Sequence, residues 1–554
     1  MSIKKASFII IILLFAVLLS CGGESPADDI TLSGTVDIND IADDIHGPLL
    51  VAITTSDDFE LIEKDPLSAL VDVRSVDRAT CTFNWDLSES GLAEGDEVFI
   101  FGFVDNDYED GIPDPTEGDY IGFYIDADRL SLTYRLKRGR NNNINIKVNR
   151  RIYSFDSEIS GTVTGPREGD LMLIAYAGEI NSMDFTQFDF DKIIGYEKLV
   201  KGTEPVQYSM QILPFGYDVP IEHVYLIALI DCNGNGLVDG GDMIGIHSER
   251  ADNFPTLLTI QDGALKDKNI DPVIEIPEPS GYDISIQGSF ERPDGYDENS
   301  KPIYTIIAHT DDISRIFTDP LSVITYFQRL PAGQTTFDIA LSGTDLLPGD
   351  DIMILALWDK DYIAGFPLPS EGDLIGYVQN KESFLYTLSL NEGVNTVPTN
   401  GYEFKINKLM YDHSASVTFQ LEEGEAAGSY NPGDPVMVIA VQKEGYSLLT
   451  SEIDMDYIIG TITLDVDFSQ THTMQLFPAV YEEIAVQNPF AIDEVYFFAI
   501  LDNNPANGIP DEGEYLGFYW DRLWLVKWIY FPITYDVIDG DNVLPETIRF
   551  SQTY

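Results

Sequence analysis

Four acidic, glycine-punctuated loops cluster oxygen donors, and oxygen donors in a short loop are the chemistry of a hard divalent cation. The cleanest loop follows the apolar run Val224-Tyr225-Leu226-Ile227-Ala228-Leu229-Ile230 and reads Asp231-Cys232-Asn233-Gly234-Asn235-Gly236-Leu237-Val238-Asp239-Gly240-Gly241-Asp242. Oxygen side chains fall at loop positions 1, 3, 5, 9 and 12, with glycine at 6. Ca²⁺ takes six to eight oxygens at about 2.3–2.6 Å, so the chain must curl back sharply, and glycine permits that turn.

This loop resembles the calcium loop of EF-hand and dockerin proteins, with Asp242 in place of the usual bidentate Glu. The resemblance implies side-chain oxygens from Asp231, Asn233, Asn235 and Asp242, the backbone carbonyl of Leu237, and a direct or water-mediated contact from Asp239. Two neutral amides and a terminal aspartate then imply an affinity on the order of 10⁻⁴–10⁻³ M. The other loops are variants. In the first, Asp105 to Asp119 with one extra residue before its glycine, the candidate ligands are Asp105, Asp107, Asp110 and Asp114, with Glu117 or Asp119 closing the site. The fourth has the same early insertion and offers Asp502, Asn504, Asn507, Asp511 and Glu514. In the third, Asp359-Lys360-Asp361, apolar residues replace two expected ligands and Lys360 adds positive charge, so weak or no calcium binding is expected. Asp, Asn, Gly and Pro also build ordinary turns. The shared spacing is what favours metal.

The elements that position these loops are strands. Leu49-Leu50-Val51-Ala52-Ile53, Leu171 to Tyr176, Ile303 to Ala308 and Val436 to Val441 are short apolar runs bounded by turn residues. Phe99, Phe101 and Phe103 fall on one face at period two. The apolar runs entering and leaving each loop pin its ends, so an unfilled loop crowds its carboxylates, which raises their pKa values or opens the turn. A bound ion cancels that repulsion, which makes its expected role structural rather than catalytic.

The chain repeats. Gly34 of Ile30-Thr31-Leu32-Ser33-Gly34-Thr35-Val36 and Gly161 of Ile159-Ser160-Gly161-Thr162-Val163 are 127 positions apart, as are Gly161 and Gly288. A fourth start, Ala415-Ser416-Val417-Thr418-Phe419, lacks the glycine. Asp65-Pro66-Leu67-Ser68 recurs as Asp319-Pro320-Leu321-Ser322, whereas Met210-Gln211-Ile212-Leu213-Pro214 recurs as Met474-Gln475-Leu476-Phe477-Pro478. Copies one and three are one type, two and four another, so an A–B pair has been duplicated whole. The reading is all-β: four tandem β-sandwich repeats, Ig-like or transthyretin-like, at 30–155, 156–271, 282–411 and 412–554, with a semi-rigid proline-rich linker at 272–281. The Ser-Gly-Thr-Val opening strand, a Leu-Ile-Ala-Tyr second strand and a late strand running into Asp-x-Asn-x-Asn-Gly resemble the transthyretin-like or carboxypeptidase-regulatory-like sandwiches of bacterial surface lipoproteins. That resemblance implies a spacer, adhesion unit or carbohydrate-associated module, and it constrains fold more than activity.

Residues 1–20 form a signal peptide: Lys4 and Lys5 precede the apolar run Phe8 to Leu19, which is shorter than the roughly 20 residues a span requires. Leu18-Leu19-Ser20-Cys21 resembles a lipobox, which implies lipidation at Cys21, an anchor linker at 21–29, and a bacterial envelope location on either the periplasmic or the surface face. Cys81 and Cys232 lie in different repeats, so a disulfide framework is excluded. The 32 basic against 93 acidic residues, a net charge of −61, argue against nucleic acid and anionic lipid, which need basic patches. An enzyme is not expected: the six histidines share no position across the repeats, and no His-Glu-x-x-His or Gly-x-Ser-x-Gly occurs. Trp85, Trp358, Trp520, Trp524 and Trp528 are candidates to stack on sugar rings, with core burial the commoner fate of aromatics. The expected function is a calcium-stiffened, non-enzymatic surface scaffold or adhesion module with a glycan or protein ligand. Polysaccharide capture is the alternative, and an extracytoplasmic hydrolase ranks behind it.

Overall fold

Short runs rich in Val, Ile, Phe and Tyr, cut by Gly, Asn and Asp, can bury both faces only as strands within layered sheets. The computed structural model describes residues 30–55, 70–108, 115–126, 131–181, 189–249, 255–272, 274–292, 301–310, 315–318, 322–331, 333–360, 362, 367, 369–380, 387–398, 402–411, 415–426, 434–447, 452–465, 467–477, 479–481, 491–501, 515–522 and 530–553. Among them the structure is β almost throughout, as expected; the helical pieces are short 3-10 turns and the four-residue helix Arg315–Thr318. No helix among the described residues is long and apolar enough to cross a membrane. Residues 1–29, where a signal peptide, lipidation at Cys21 and an anchor linker are expected, lie outside the described residues.

Ile30–Asp37 sits between an antiparallel neighbour, Thr82–Asp86, and a parallel one, Gly139–Lys147. The same pair of neighbours recurs around three later strands. Ser157–Val163 has Val206–Ile212 and Gly263–Leu265, Ile284–Ser289 has Thr336–Ala340 and Gly393–Val397, and Ser416–Glu422 has Thr471–Gln475 and Asp541–Val543. In the first and third repeats a separate, larger sheet lies across this one, whereas in the second and fourth the opening strand is joined through its hydrogen-bonded neighbours to the larger sheet. In the first it runs in the order Leu70–Val76, Leu49–Thr54, Glu97–Val104, Tyr120–Phe123, Arg150–Arg151.

Period-two alternation sorts the side chains of that sheet. Leu49, Val51, Ile53, Val98, Ile100 and Val104 face inward onto Ile30, Leu32, Trp85 and Ile144 of the other layer. Leu50, Phe99, Phe103, Ile121 and Phe123 face the opposite way and are covered by Ile152, Tyr196 and Phe215. The aromatic face expected at Phe99, Phe101 and Phe103 therefore exists, with ring centroids 5.4 and 6.1 Å apart. It is the outer face of the sandwich, buried by the segment that follows. Further apolar clusters fill 159–270, 284–406 and 415–550. The chain divides into two compact units that change over between Ile276 and Pro277.

One element departs from expectation. Part of the stretch read as a linker is a strand, Ile274–Glu275, paired with Met243–Ile246, and Ile276 N–H donates to the Asp242 carbonyl at 2.8 Å. Its β-branched residues alternate with acidic ones, which favours an edge strand even between prolines.

Two recurrent devices hold the layers together. The glycine of each strand that leaves a loop lets another strand cross in contact: a Cβ on Gly122 would sit 1.8 Å from the Lys147 carbonyl oxygen, and one on Gly376 would sit 1.9 Å from that of Lys405. The other device is a buried asparagine two residues after a left-handed glycine. Asn141, Asn395 and Asn542 each accept from one backbone N–H, of Lys137, Asn391 and Ile538 respectively. Each also donates to the carbonyls of that same residue, of the intervening glycine and of the opening strand. Removing the amide strands several buried backbone groups at once. Asn395→Ala is expected to destabilise the unit that carries it by about 1–3 kcal/mol, read as a lower denaturant midpoint; an unchanged midpoint would show that water replaces the amide without loss.

Candidate metal centres at the hairpin tips

All four acidic loops close antiparallel hairpins. The pairs at their bases are Val104↔Tyr120, Ile230↔Met243, Trp358↔Leu374 and Leu501↔Tyr515. The entering strand is buried toward its end, so in the first and third tips the residue that follows it brings an acidic group to the edge of the core: Asp105 and Asp359 are buried.

The far side of each described tip carries a second buried carboxylate, set by a glycine in the left-handed region. Gly118, Gly241 and Gly372 have φ of +101°, +88° and +96° and precede Asp119, Asp242 and Asp373. Each of these aspartates accepts two backbone N–H groups, one from either side of the loop. Asp119 takes Asn106 and Thr116, both at 2.7 Å. Asp242 takes Cys232 at 2.9 Å and Asp239 at 3.1 Å. Asp373 takes Lys360 at 2.7 Å and Ser370 at 2.8 Å. Burial pushes the carboxyls of Asp119 and Asp242 above the ordinary range, against those N–H donors, which pull the other way. Because the folded value is raised, the contribution favours folding when the group is protonated and weakens as pH rises through the raised value.

In the first tip Asp105, Asp107 and Asp119 bring one carboxylate oxygen each to within 4.8 Å of one another, and among the described residues they are the one acidic trio to do so. Three carboxylates that close are a donor set for a hard cation. Glu117 is exposed and stands outside that trio, whereas Asp119 belongs to it. Asp110 and Asp114 lie outside the described residues, as do Asp361 and all five residues assigned in the fourth tip, Asp502, Asn504, Asn507, Asp511 and Glu514.

The second tip is ordered by N–H donors. Asp231 accepts from Gly234 at 2.6 Å and Gly236 at 2.7 Å, and both of these glycines have positive φ. Asn233 and Asn235 each accept a backbone N–H from two residues on, and each turns its amide nitrogen to Asp239 at 2.7 Å. Every carboxylate oxygen of Asp231, Asp239 and Asp242 thus accepts one N–H, which relieves the crowding expected of an unfilled loop. Each oxygen keeps a second lone pair for a cation. Leu237 is exposed at the turn where its carbonyl was expected to serve. In the third tip the Lys360 ammonium lies 4.9 Å from the Trp358 ring centroid, a cation–π contact.

Asp373 lies outside the oxygens expected of the third loop. Its signal was the recurrence of Gly-Asp three residues before a strand glycine, at 118–122, 241–245 and 372–376. Trp85 and Trp358 are buried in apolar clusters and so are not open to a sugar ring. The side chains of Trp520, Trp524 and Trp528 fall outside the described residues. His247 is buried, with its Nδ1 bonded to the Asn269 carbonyl at 2.7 Å, and His472 packs on Phe419 at 5.8 Å.

No family model matches the chain, and no curated protein matches it. Among solved structures, the RrgB pilus protein of Streptococcus pneumoniae is similar at 8% identity over 87% of this chain and 91% of that one, with a TM-score of 0.14. The minor pilin of Streptococcus agalactiae is similar at 10% identity over 46% and 96%, with a TM-score of 0.13. The Bacillus anthracis TIE protein is similar at 6% over 96% and 76%, with a TM-score of 0.11. Scores this low carry no argument about function.

The third tip separates hydrogen bonding from metal. Asp373→Ala should lower stability by about 1–3 kcal/mol through two unmet backbone donors, and by the same amount with calcium or with chelator. A loss seen only in calcium would show that the carboxylate acts through an ion instead.

Proposed function

We propose that the chain is a cell-envelope protein of four β-sandwich repeats, at 30–155, 156–271, 282–411 and 412–554, anchored by lipid on Cys21. It acts as a non-enzymatic surface scaffold or adhesion module whose hairpin tips are stiffened by structural calcium. The observation that carries this reading is the rebuilding of one tip at three places, each with a strand-end aspartate and a buried closing aspartate bonded to both sides of the loop. A structural device repeated along a chain suits a spacer. A catalytic site needs one unrepeated constellation.

The residues present fit the ion. Asp105, Asp107 and Asp119 would hold it at the first tip, and Asp231, Asn233, Asn235, Leu237, Asp239 and Asp242 at the second. Calcium would supply positive charge between the carboxylates gathered at the first tip. The chain's own groups do the gathering, through the N–H donors of the turns and the burial of the closing aspartate. Polysaccharide capture keeps fewer of its candidates, since two of the five tryptophans are in the core.

Calcium titration of the mature protein, followed by melting temperature, tests the proposal. Half of the effect is expected on the order of 10⁻⁴–10⁻³ M, and calcium at about 100 times its dissociation constant adds roughly 2.7 kcal/mol per site. If saturating calcium leaves melting where chelator leaves it, the structural-ion reading is wrong.

A further inference from the structure

The aromatic outer face of the first repeat is closed by a device whose counterpart recurs in the second compact unit. At the last strand of the first repeat, Arg150 is buried, and its guanidinium donates to the backbone carbonyls of Phe190 at 2.6 Å and Ile193 at 3.1 Å. It lies 3.7 Å from the Asp191 carboxylate and 5.2 Å from the Phe123 ring centroid. The preceding residue, Asn149, donates to Asp191 at 3.1 Å. In the second unit Lys408 is buried, donates to the Asp456 carbonyl and lies 3.7 Å from the Asp456 carboxylate, while Asn407 donates to that carboxylate at 3.2 Å.

The receiving turns match as well. Each is a 3-10 turn, Phe190–Lys192 or Met455–Tyr457, whose preceding aspartate, Asp189 or Asp454, accepts the N–H of Asp191 or Asp456 at 3.1 Å. The segment after the shared Met-Gln motif then pairs with the cation-bearing strand, through Ile152↔Phe215 in one unit and Leu409↔Val480 in the other.

The cation stands at a fixed register, opposite the residue before the crossing glycine: Ile121↔Arg150 and Ile375↔Lys408. At the same register the second copy has Ile274 opposite Ile244, and the fourth has Gln552 opposite Leu516. Only the copies that are followed by a partner within their own unit carry the charge.

We propose that the Asn-Arg and Asn-Lys dipeptides recognise the Asp-x-Asp turn of the following repeat, and that each A–B pair opens as one cooperative body because of this lock. A buried cation satisfied by carbonyls and one carboxylate ties the two repeats only while both are folded, since its partners belong to the neighbour. This inference does not depend on calcium.

Native-state hydrogen exchange on the full mature chain, in chelator, tests it. In the unaltered protein the slowest amides of Leu49–Thr54 and of Gly169–Tyr176 should share one opening free energy. In Arg150→Met, protection in Gly169–Tyr176 should fall on the order of 10- to 100-fold and separate from that of Leu49–Thr54. Asp191→Asn, which keeps the shape of the turn, should move the same amides in the same direction by less. Arg167→Met, which breaks the exposed Arg167–Glu275 pair, should leave both strands together. Two distinct opening energies in the unaltered protein, or protection unmoved by both Arg150→Met and Asp191→Asn, would overturn the proposal.

Discussion

A carboxylate removed from water must find donors, and at three hairpin tips it finds them on the backbone to either side of the loop. Asp119, Asp242 and Asp373 each tie the residue after the entering strand to a residue just ahead of the leaving one. That constraint fixes where the hairpin turns, and so fixes the register of two buried strands whose alternation decides which side chains face the core. A slip of one residue at the tip would turn Phe99 and Phe103 inward and Val98 and Ile100 outward.

The same logic runs up through the fold. The strand leaving each tip carries a glycine against which the chain crosses, at Lys147 or at Lys405, and three residues beyond that crossing the chain brings Arg150 or Lys408 to the neighbouring repeat. Tip, crossing and lock are thus three consequences of one register. Calcium, on the proposed reading, adds to this scheme without creating it: the second tip already meets each carboxylate oxygen of Asp231, Asp239 and Asp242 with an N–H.

Much of the architecture was readable because it depends on local periodicity. Strand runs, the opening glycines and the acidic tips all repeat at constant spacing, and the all-β reading follows from them. Residues whose role depends on a partner far along the chain were not readable. Asn395 looks like any loop amide until its bonds to the opening strand are seen, and Arg150 looks like a surface charge in a basic stretch until the turn at Phe190 closes over it. The strand Ile274–Glu275 was hidden by flanking prolines, which mark linkers and edge strands alike. Asp373 was hidden because its loop lacked ligands elsewhere, although its bonds to Lys360 and Ser370 match those of Asp119. The tip at Asp231 was readable as a loop of oxygens. That its amides would turn toward Asp239 follows only from the folded turn.

The most direct measurement is the exchange rate of three backbone amides, those of Asn106, Cys232 and Lys360, in the metal-free protein. If a buried aspartate holds each tip, all three are protected nearly as well as the strands they follow, and calcium raises protection further at Asn106 and Cys232 while leaving Lys360 unchanged. Exchange of these amides at the rate of an open, solvated loop would contradict the account at its root.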